Sequence, residues 1–217
     1  MLDCDRTRAS IASAKGLLFN SAVQAFVNLL QKDPKFINAK SRVILDPFFW
    51  KKRFECTDPP PLSSKEWSSW MRGRVPSATD ENPNPAKSIE EIIGVAMGNN
   101  TVPGHFAAYH IDLTKGTVTV YDSLIRSKAF KDKDFTTVAK ELNEYFGRTG
   151  KKGWKFATVE LAKQTNTIDC GLYVCKAVQL LSLGLKPTMS QEADVPAVRA
   201  QLMLSFATGR TYDQGKK

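Results

Sequence analysis

The feature that most constrains the fold is a pair of short strand-like segments in the middle of the chain. Residues 105–111 (HFAAYHI) and 117–121 (TVTVY) are rich in β-branched and aromatic side chains, and the five residues DLTKG separate them. A short connection with a glycine near its end is typical of a β-hairpin, so we predict an antiparallel ribbon. If the ribbon folds about Thr114, His105 faces residue 123. His105 and Asp122 then lie at the same end of the ribbon.

Helical patterns flank this ribbon along the chain. Apolar residues at helical spacing between residues 17 and 30 predict an early helix, and a capping box of Ser63 and Glu66 predicts another ahead of Trp67. The order of elements predicts a central sheet between helices, in one domain. The remaining predicted elements are strands at 43–45, 92–93 and 154–161, a short helix opened by Pro47, and helices over 133–146, 169–183 and 194–207.

The composition narrows the class of protein. Hydrophobic residues make up 42% of the 217 residues and charged residues 24%, which supports a sizeable core and argues against wholesale disorder. No apolar run approaches the roughly 18 to 20 residues of a membrane span. The four cysteines are scattered, which argues against a disulfide framework, and two histidines leave no recognisable metal site. We therefore expect no membrane association and no metal.

The chain is basic, with 31 Lys and Arg against 22 Asp and Glu and a formal net charge of +9. A charge of this size raises the question of nucleic acid binding. The basic residues are, however, dispersed in small groups and do not interleave with aromatic side chains along one element. A nucleic acid is therefore a secondary candidate partner. The charge can equally steer an acidic protein partner towards the molecule.

The segment QTNTIDCG, residues 164–171, carries the most chemical information. Cys170 would lie in the first turn of a helix capped by Asp169, where backbone N–H groups and the helix dipole favour a thiolate. Gly171 leaves the backbone beside it open to a substrate. The amide of Gln164, six residues earlier, could point its NH₂ group at a developing oxyanion. The residues alone also allow Cys170 to be a small buried apolar side chain and Gln164 an ordinary loop residue.

The predicted ribbon supplies the two other groups that a cysteine nucleophile requires. A carboxylate on one ring nitrogen of His105 would fix the tautomer and leave the other nitrogen to accept a thiol proton. Asp122 is placed to be that carboxylate. The ordinary alternatives are a loop-end histidine and a turn-starting aspartate. His110 lies inside the strand and is better explained as a packed or edge histidine.

These residues resemble the SUMO and ubiquitin-like-protein-specific cysteine proteases, the sentrin-specific proteases with an adenain-like fold. The resemblance rests on GHFAAYHIDL (104–113), VYDS (120–123), QTNTIDCG (164–171) and YVC (173–175), in the order His, Asp, Gln, Cys. It implies an α+β fold of the papain-like superfamily, with a central mixed sheet flanked by helices. It also implies Cys170 as nucleophile, His105 as general base and then acid, Asp122 as orienting carboxylate and Gln164 as oxyanion donor, without a cofactor.

Two departures from the family pattern concern the substrate channel. Phe106 stands where the family usually has Trp after the catalytic histidine, and Leu18 lies in the stretch that corresponds to a family Trp-Leu-x-Asp motif. The expected substrate-binding residues are Phe106, Leu18, Gly171 and Asp169. The resemblance implies a peptidase or isopeptidase that cleaves after the C-terminal glycine of a SUMO-like modifier. The alternatives are another ubiquitin-like modifier, viral, mobile-element or host proteins as substrates, or a modifier-binding module without turnover.

The resemblance covers about residues 16 to 207. We accordingly predict an N-terminal extension at 1–15, a protease domain at 16–207 and a C-terminal tail at 208–217. The N-terminus lacks the pattern of a signal peptide, so we expect an intracellular protein, nuclear or cytoplasmic, and we expect it to be a monomer.

Overall fold

A computed structural model describes residues 20–33, 36, 41–54, 60–75, 85–98, 105–124, 130–148, 153–161, 164, 166, 168–187 and 195–211. Its five-stranded sheet has the spatial order β1-β2-β3-β4-β5, which is also the order along the chain. The β1/β2 and β4/β5 pairs are parallel, and the β2/β3 and β3/β4 pairs are antiparallel, so the sheet is mixed as predicted. The strands are β1 (Arg42–Leu45), β2 (Glu91–Met97), β3 (Phe106–Asp112), β4 (Thr117–Asp122) and β5 (Lys155–Glu160).

Helices cover both faces of this sheet. On one face, α1, α5 and α6 enclose a hydrophobic cluster with Val95 and Ala108; on the other, α2, α3 and α4 enclose a second cluster with Ile92 and Tyr109. Alternate strand residues thus serve opposite clusters, as the two-residue period of a strand requires. The predicted α+β architecture is confirmed. The helices are α1 (Asn20–Lys32), α2 (Pro47–Arg53), α3 (Ser64–Met71), α4 (Asp132–Tyr145), α5 (Cys170–Ser182) and α6 (Val195–Thr208).

Local signals account for two of the helix starts. The Asp46 carboxylate accepts hydrogen bonds from the backbone N–H groups of Phe48 and Phe49, at 2.9 and 3.1 Å, directly ahead of Pro47. At the start of α3, both hydrogen bonds of the predicted capping box join Ser63 and Glu66. Because each signal lies within four residues, the sequence alone could reveal it.

The predicted β-hairpin is present, with a register one residue away from the predicted one. Asp112 still belongs to β3 and pairs with Thr117, so the connection has four residues where we predicted five. The Asp112 carboxylate accepts a hydrogen bond from the Lys115 backbone at 2.7 Å, and Gly116, at a φ of +67°, closes the turn. These bonds centre the turn between Thr114 and Lys115. His105 and Asp122 stand at the far end of the same ribbon.

Helix α5 is the central helix of the first face. It packs on β3 and β2 and contacts α1 and α6, and nearly all its side chains are buried. Its first residue is Cys170, which belongs to the same hydrophobic cluster as Phe106. None of the helices in the described parts of the chain has the length and apolar character needed to cross a membrane.

Candidate active site

The end of the β3/β4 ribbon brings an imidazole and a carboxylate into contact. His105 immediately precedes β3 and Asp122 ends β4, and the distance from His105 Nε2 to Asp122 Oδ1 is 2.7 Å. The same carboxylate oxygen accepts a hydrogen bond from the Leu124 backbone at 2.7 Å, which fixes its direction. Only 3% of His105 and 5% of Asp122 is exposed. The predicted proximity of the two residues is confirmed.

Cys170 completes a chain of three side chains. Its sulfur lies within hydrogen-bonding reach of His105. Since Nε2 of the imidazole is directed at Asp122, Nδ1 is the nitrogen left for the thiol. Cys170 is the first residue of α5, where the Asp169 carbonyl accepts the backbone N–H groups of Leu172 and Tyr173. The sulfur therefore sits at the positive end of the helix dipole.

The electrostatics of this chain favour a charged imidazole. Burial lowers the pKa of His105, but the hydrogen bonds to Asp122 and Cys170, and the charges of both, outweigh burial and raise this pKa to about 9. His105 is thus protonated at neutral pH when Cys170 is a thiolate. An imidazolium beside a thiolate combines a nucleophile with a proton donor for a leaving group.

Gln164 reaches the site because the chain after β5 continues alongside the end of β4. The backbone N–H of Leu161 donates to the Asp122 carbonyl, and that of Gln164 to the Ser123 carbonyl, both at 3.0 Å. The Gln164 side chain is 3% exposed and receives a hydrogen bond from the Ser123 hydroxyl at 2.8 Å. Sequence reasoning found Gln164 and missed Ser123, whose contact partner lies 41 residues away.

Asp169 does not cap α5 with its side chain, and this prediction was wrong. Its carboxylate accepts hydrogen bonds from Asn166 at 2.7 Å and from Arg199 of α6 at 2.9 Å. Asp169 and Arg199 are both buried, and the guanidinium provides a stronger partner than a backbone amide. Asn166 and Arg199 were not singled out in the sequence. The Asn-x-x-Asp spacing, typical of a local side-chain turn, is the one signal that could have indicated Asn166.

The other predicted substrate-binding residues are found in different settings. Phe106 is 1% exposed and packs in the hydrophobic cluster that includes Cys170. Gly171 lies buried in the first turn of α5. Leu18 falls outside the described residues. The substrate-binding roles of Phe106, Gly171, Leu18 and Asp169 stay predictions.

Two further side chains, one beside the ribbon and one within it, bear on the two histidines. The Phe130 ring lies against His105, with a centroid distance of 5.6 Å and an interplanar angle of 41°, and sequence reasoning missed it. His110 is partly exposed, with its Nε2 atom 3.7 Å from Glu91 Oε2, and burial lowers its pKa. His110 is thus a packed histidine within β3, in line with our interpretation of the sequence.

Metal ligands are not clustered in the part of the chain that the structure describes, where no three His, Cys, Asp or Glu side chains are placed to hold an ion. Cys170 and Cys175 are both buried, and neither is part of a disulfide bond. Burial raises the pKa of Cys175 far above that of an ordinary thiol. Of these two cysteines, the geometry favours Cys170 as the reactive one.

Comparison with known families adds an independent observation. A model of the Ulp1 protease family, C-terminal catalytic domain, matches residues 18–210. The chain belongs to the Ulp1 protease family. Membership makes it a cysteine-type peptidase, which confirms the resemblance seen in the sequence. A comparison with curated proteins returned no match.

Solved structures of Ulp1-family proteins share the fold. The SUMO protease Ulp1 with its catalytic cysteine oxidized to a sulfenic acid is 21% identical, with a TM-score of 0.69, over 94% of this chain and 82% of that one. The C-terminal Ulp1 protease domain in complex with Smt3, the yeast ortholog of SUMO, is 19% identical, with a TM-score of 0.67 and the same coverages. The Chaetomium thermophilum Ulp1-like SUMO protease is 16% identical, with a TM-score of 0.67, over 93% and 76%.

Proposed function

We propose that this protein cleaves the bond after the C-terminal glycine of a SUMO-like modifier, with Cys170 as nucleophile and His105, Asp122 and Gln164 as its catalytic partners. The observation that carries the proposal is the single imidazole that contacts both a carboxylate and the thiol at a helix N-terminus. The modifier is inferred from the related Ulp1 protease domain, whose structure contains Smt3.

The groups can perform the reaction in two steps. The Cys170 thiolate attacks the glycine carbonyl carbon, and the C=O electron pair moves to the oxygen, where the Gln164 NH₂ group and the Cys170 backbone N–H stabilise it. The carbonyl re-forms, the C–N bond breaks, and the amine leaves with a proton from His105, which gives a thioester. Water then attacks the thioester carbonyl and gives a proton to His105, and the Cys170 thiolate departs.

Asp122 acts on the imidazole throughout this sequence. It holds the ring with Nδ1 directed at the sulfur and stabilises the positive charge on it. The net charge of +9 would steer an acidic modifier towards the protein without entering the chemistry. We expect the protein to act as a monomer, with nucleic acid a secondary partner.

Reactive modifier probes test this proposal. We expect a SUMO probe with a C-terminal electrophile to label the protein covalently and Cys170→Ala to abolish the labelling, because the substitution removes the attacking sulfur. Cys175→Ala is the matched control, since Cys175 lies in the same helix and is buried. Undiminished labelling of Cys170→Ala would contradict the proposal. Ubiquitin and NEDD8 probes read out modifier specificity, and binding of a modifier without hydrolysis would favour a non-catalytic module.

A further inference from the structure

The Gln164 side chain is held at both ends of its amide. Its Oε1 atom accepts a hydrogen bond from the Ser123 hydroxyl at 2.8 Å, and its Nε2 atom donates a hydrogen bond to the backbone carbonyl of Asn166. The Gln164 backbone is also tied to the Ser123 carbonyl. With 3% of Gln164 and 1% of Ser123 exposed, water does not compete freely for these bonds. The amide is therefore fixed in place and in direction.

Direction matters because the two ends of an amide have opposite polarity. The Asn166 carbonyl can only accept a hydrogen bond, so the end of Gln164 beside it is the NH₂ group. The Ser123 hydroxyl, which can donate or accept, must then donate to Oε1. Nε2 carries two hydrogens and Asn166 takes one, so the second can be offered to an oxyanion. A reversed amide would present its carbonyl oxygen and repel the developing charge.

Ser123 follows Asp122 directly in the chain. At the end of β4, two consecutive side chains thus contact two different residues of the proposed catalytic machinery. The Asp122 carboxylate contacts His105, and the Ser123 hydroxyl contacts Gln164. We propose that Ser123 is a positioning residue that holds the Gln164 amide with its NH₂ group towards the oxyanion. This inference rests on the proposed function, in which Gln164 is the oxyanion donor.

The test compares a reaction that develops an oxyanion with one that does not. SUMO ending in a glycine aldehyde gains a bond from the Cys170 sulfur to its carbonyl carbon, and the carbonyl oxygen takes the oxyanion position. Alkylation of Cys170 by iodoacetamide displaces iodide and forms no oxyanion. We expect Ser123→Ala to weaken aldehyde binding and to lower kcat about five- to tenfold, which is the effect of losing one neutral hydrogen bond. KM and the rate of alkylation should stay nearly unchanged.

Two comparisons separate positioning from a general structural effect. In a Gln164→Ala background, Ser123→Ala should cause no further loss, because the group that it positions is gone. Ser182→Ala is the matched control: it removes another buried hydroxyl, bonded to the Val178 carbonyl at 2.7 Å on the far end of α5, and should leave all rates unchanged. Ser123→Gly provides a second variant without the hydroxyl if Ser123→Ala does not fold.

Three results would overturn the inference. The first is a Ser123→Ala variant with unchanged kcat and unchanged aldehyde affinity. The second is a fall in the alkylation rate of Ser123→Ala as large as the fall in its kcat. The third is a double variant in which the losses caused by Ser123→Ala and Gln164→Ala add fully. A wild-type protein that is alkylated at Cys170 but captures no aldehyde-tailed ubiquitin, SUMO or NEDD8 would instead contradict the proposed function, and the inference with it. The supporting result is loss confined to the oxyanion-forming reaction.

Discussion

The two halves of the candidate active site are held together in different ways. His105 and Asp122 stand at the ends of adjacent strands, and the backbone ladder of β3 and β4 sets their separation. The segment half is the stretch between β5 and α5, whose described residues Gln164, Asn166, Ile168 and Asp169 are held largely by side-chain hydrogen bonds. The hydrogen bonds of a ladder join backbone groups that nearly every residue carries, whereas a segment held by side chains depends on each partner.

The segment half relies on contacts with distant parts of the chain. Ser123 holds Gln164, and Arg199 of α6 holds Asp169, next to the nucleophile. Asn166 also accepts the backbone N–H groups of Ile168 and Asp169 at 2.9 and 3.0 Å, which shapes the entry to α5. In the ribbon half, we therefore expect catalytic activity to fall only when His105 or Asp122 itself is changed. In the segment half, a change in a supporting residue should suffice.

The largest expected effect is that of replacing the carboxylate that the ribbon places against His105. Asp122→Asn should lower kcat/KM by about 10²- to 10⁴-fold, because an amide cannot stabilise the imidazolium or hold the ring equally well. Against the effect of burial, Asp122 and Cys170 together raise the pKa of His105 to about 9, so removal of the Asp122 carboxylate lowers that pKa. Wild-type activity should fall as the pH rises through about 9, and this basic limb should move to lower pH in the variant. A pH profile of kcat/KM measures the shift.

Asp112→Asn is the matched control for this prediction. Asp112 is another buried aspartate in the same ribbon, at the turn end, where hydrogen bonds to Lys115 and Thr114 outweigh burial and lower its pKa to about 2. Its replacement should affect the turn and leave the basic limb in place. An Asp122→Asn enzyme with an unshifted basic limb would argue that Asp122 does not control the charge of His105.

The next effect tests a supporting residue in the segment. Arg199→Met removes the cation that pairs with buried Asp169 and leaves a carboxylate without its charge partner. We expect a loss of about 3 to 5 kcal/mol in the free energy of unfolding, measured by urea denaturation, together with slower alkylation of Cys170 in the folded protein. The rate should fall because the peptide that precedes Cys170 loses its anchor on α6.

Arg53→Met is the corresponding substitution on the other face of the sheet. Arg53 forms a buried ion pair with Glu141 between α2 and α4, away from Cys170. A similar loss of stability is expected, with an unchanged alkylation rate below the unfolding transition. If both arginine variants slowed alkylation equally, the segment would depend on overall stability and not on its own anchor.

The same difference between the two halves explains what the sequence could predict. The ribbon, its His105–Asp122 contact and the capping box of α3 depend on spacing within one or two elements, so periodicity revealed them. The register was off by one because the Asp112 side chain, and not spacing alone, settles the turn.

The segment could be recognised as a motif but not built from the sequence. Asp169 was expected to cap α5 because nothing in the local sequence shows that Arg199, 30 residues later, would take its carboxylate. Ser123 was overlooked for the same reason. Contacts of this kind depend on how helices and strands pack, which local propensity does not encode.

The smallest effect tests whether the ribbon is as independent of local detail as its ladder suggests. Gly116→Ala places a side chain at a φ of +67° in the hairpin turn, which should cost about 1 to 2 kcal/mol of stability in thermal unfolding. Gly147→Ala is the control, at a φ of +66° after α4. Its added Cβ meets no atom within 4 Å, so backbone strain is the only cost that this substitution introduces.

Neither glycine variant should change kcat in the folded protein. β3 is paired on both sides, with β2 through seven residue pairs and with β4 through five, so a strained turn at one end leaves His105 and Asp122 in register at the other. A fall in kcat in Gly116→Ala alone would mean that the turn sets the separation of the two side chains. The ribbon half would then depend on a single residue, as the segment half does.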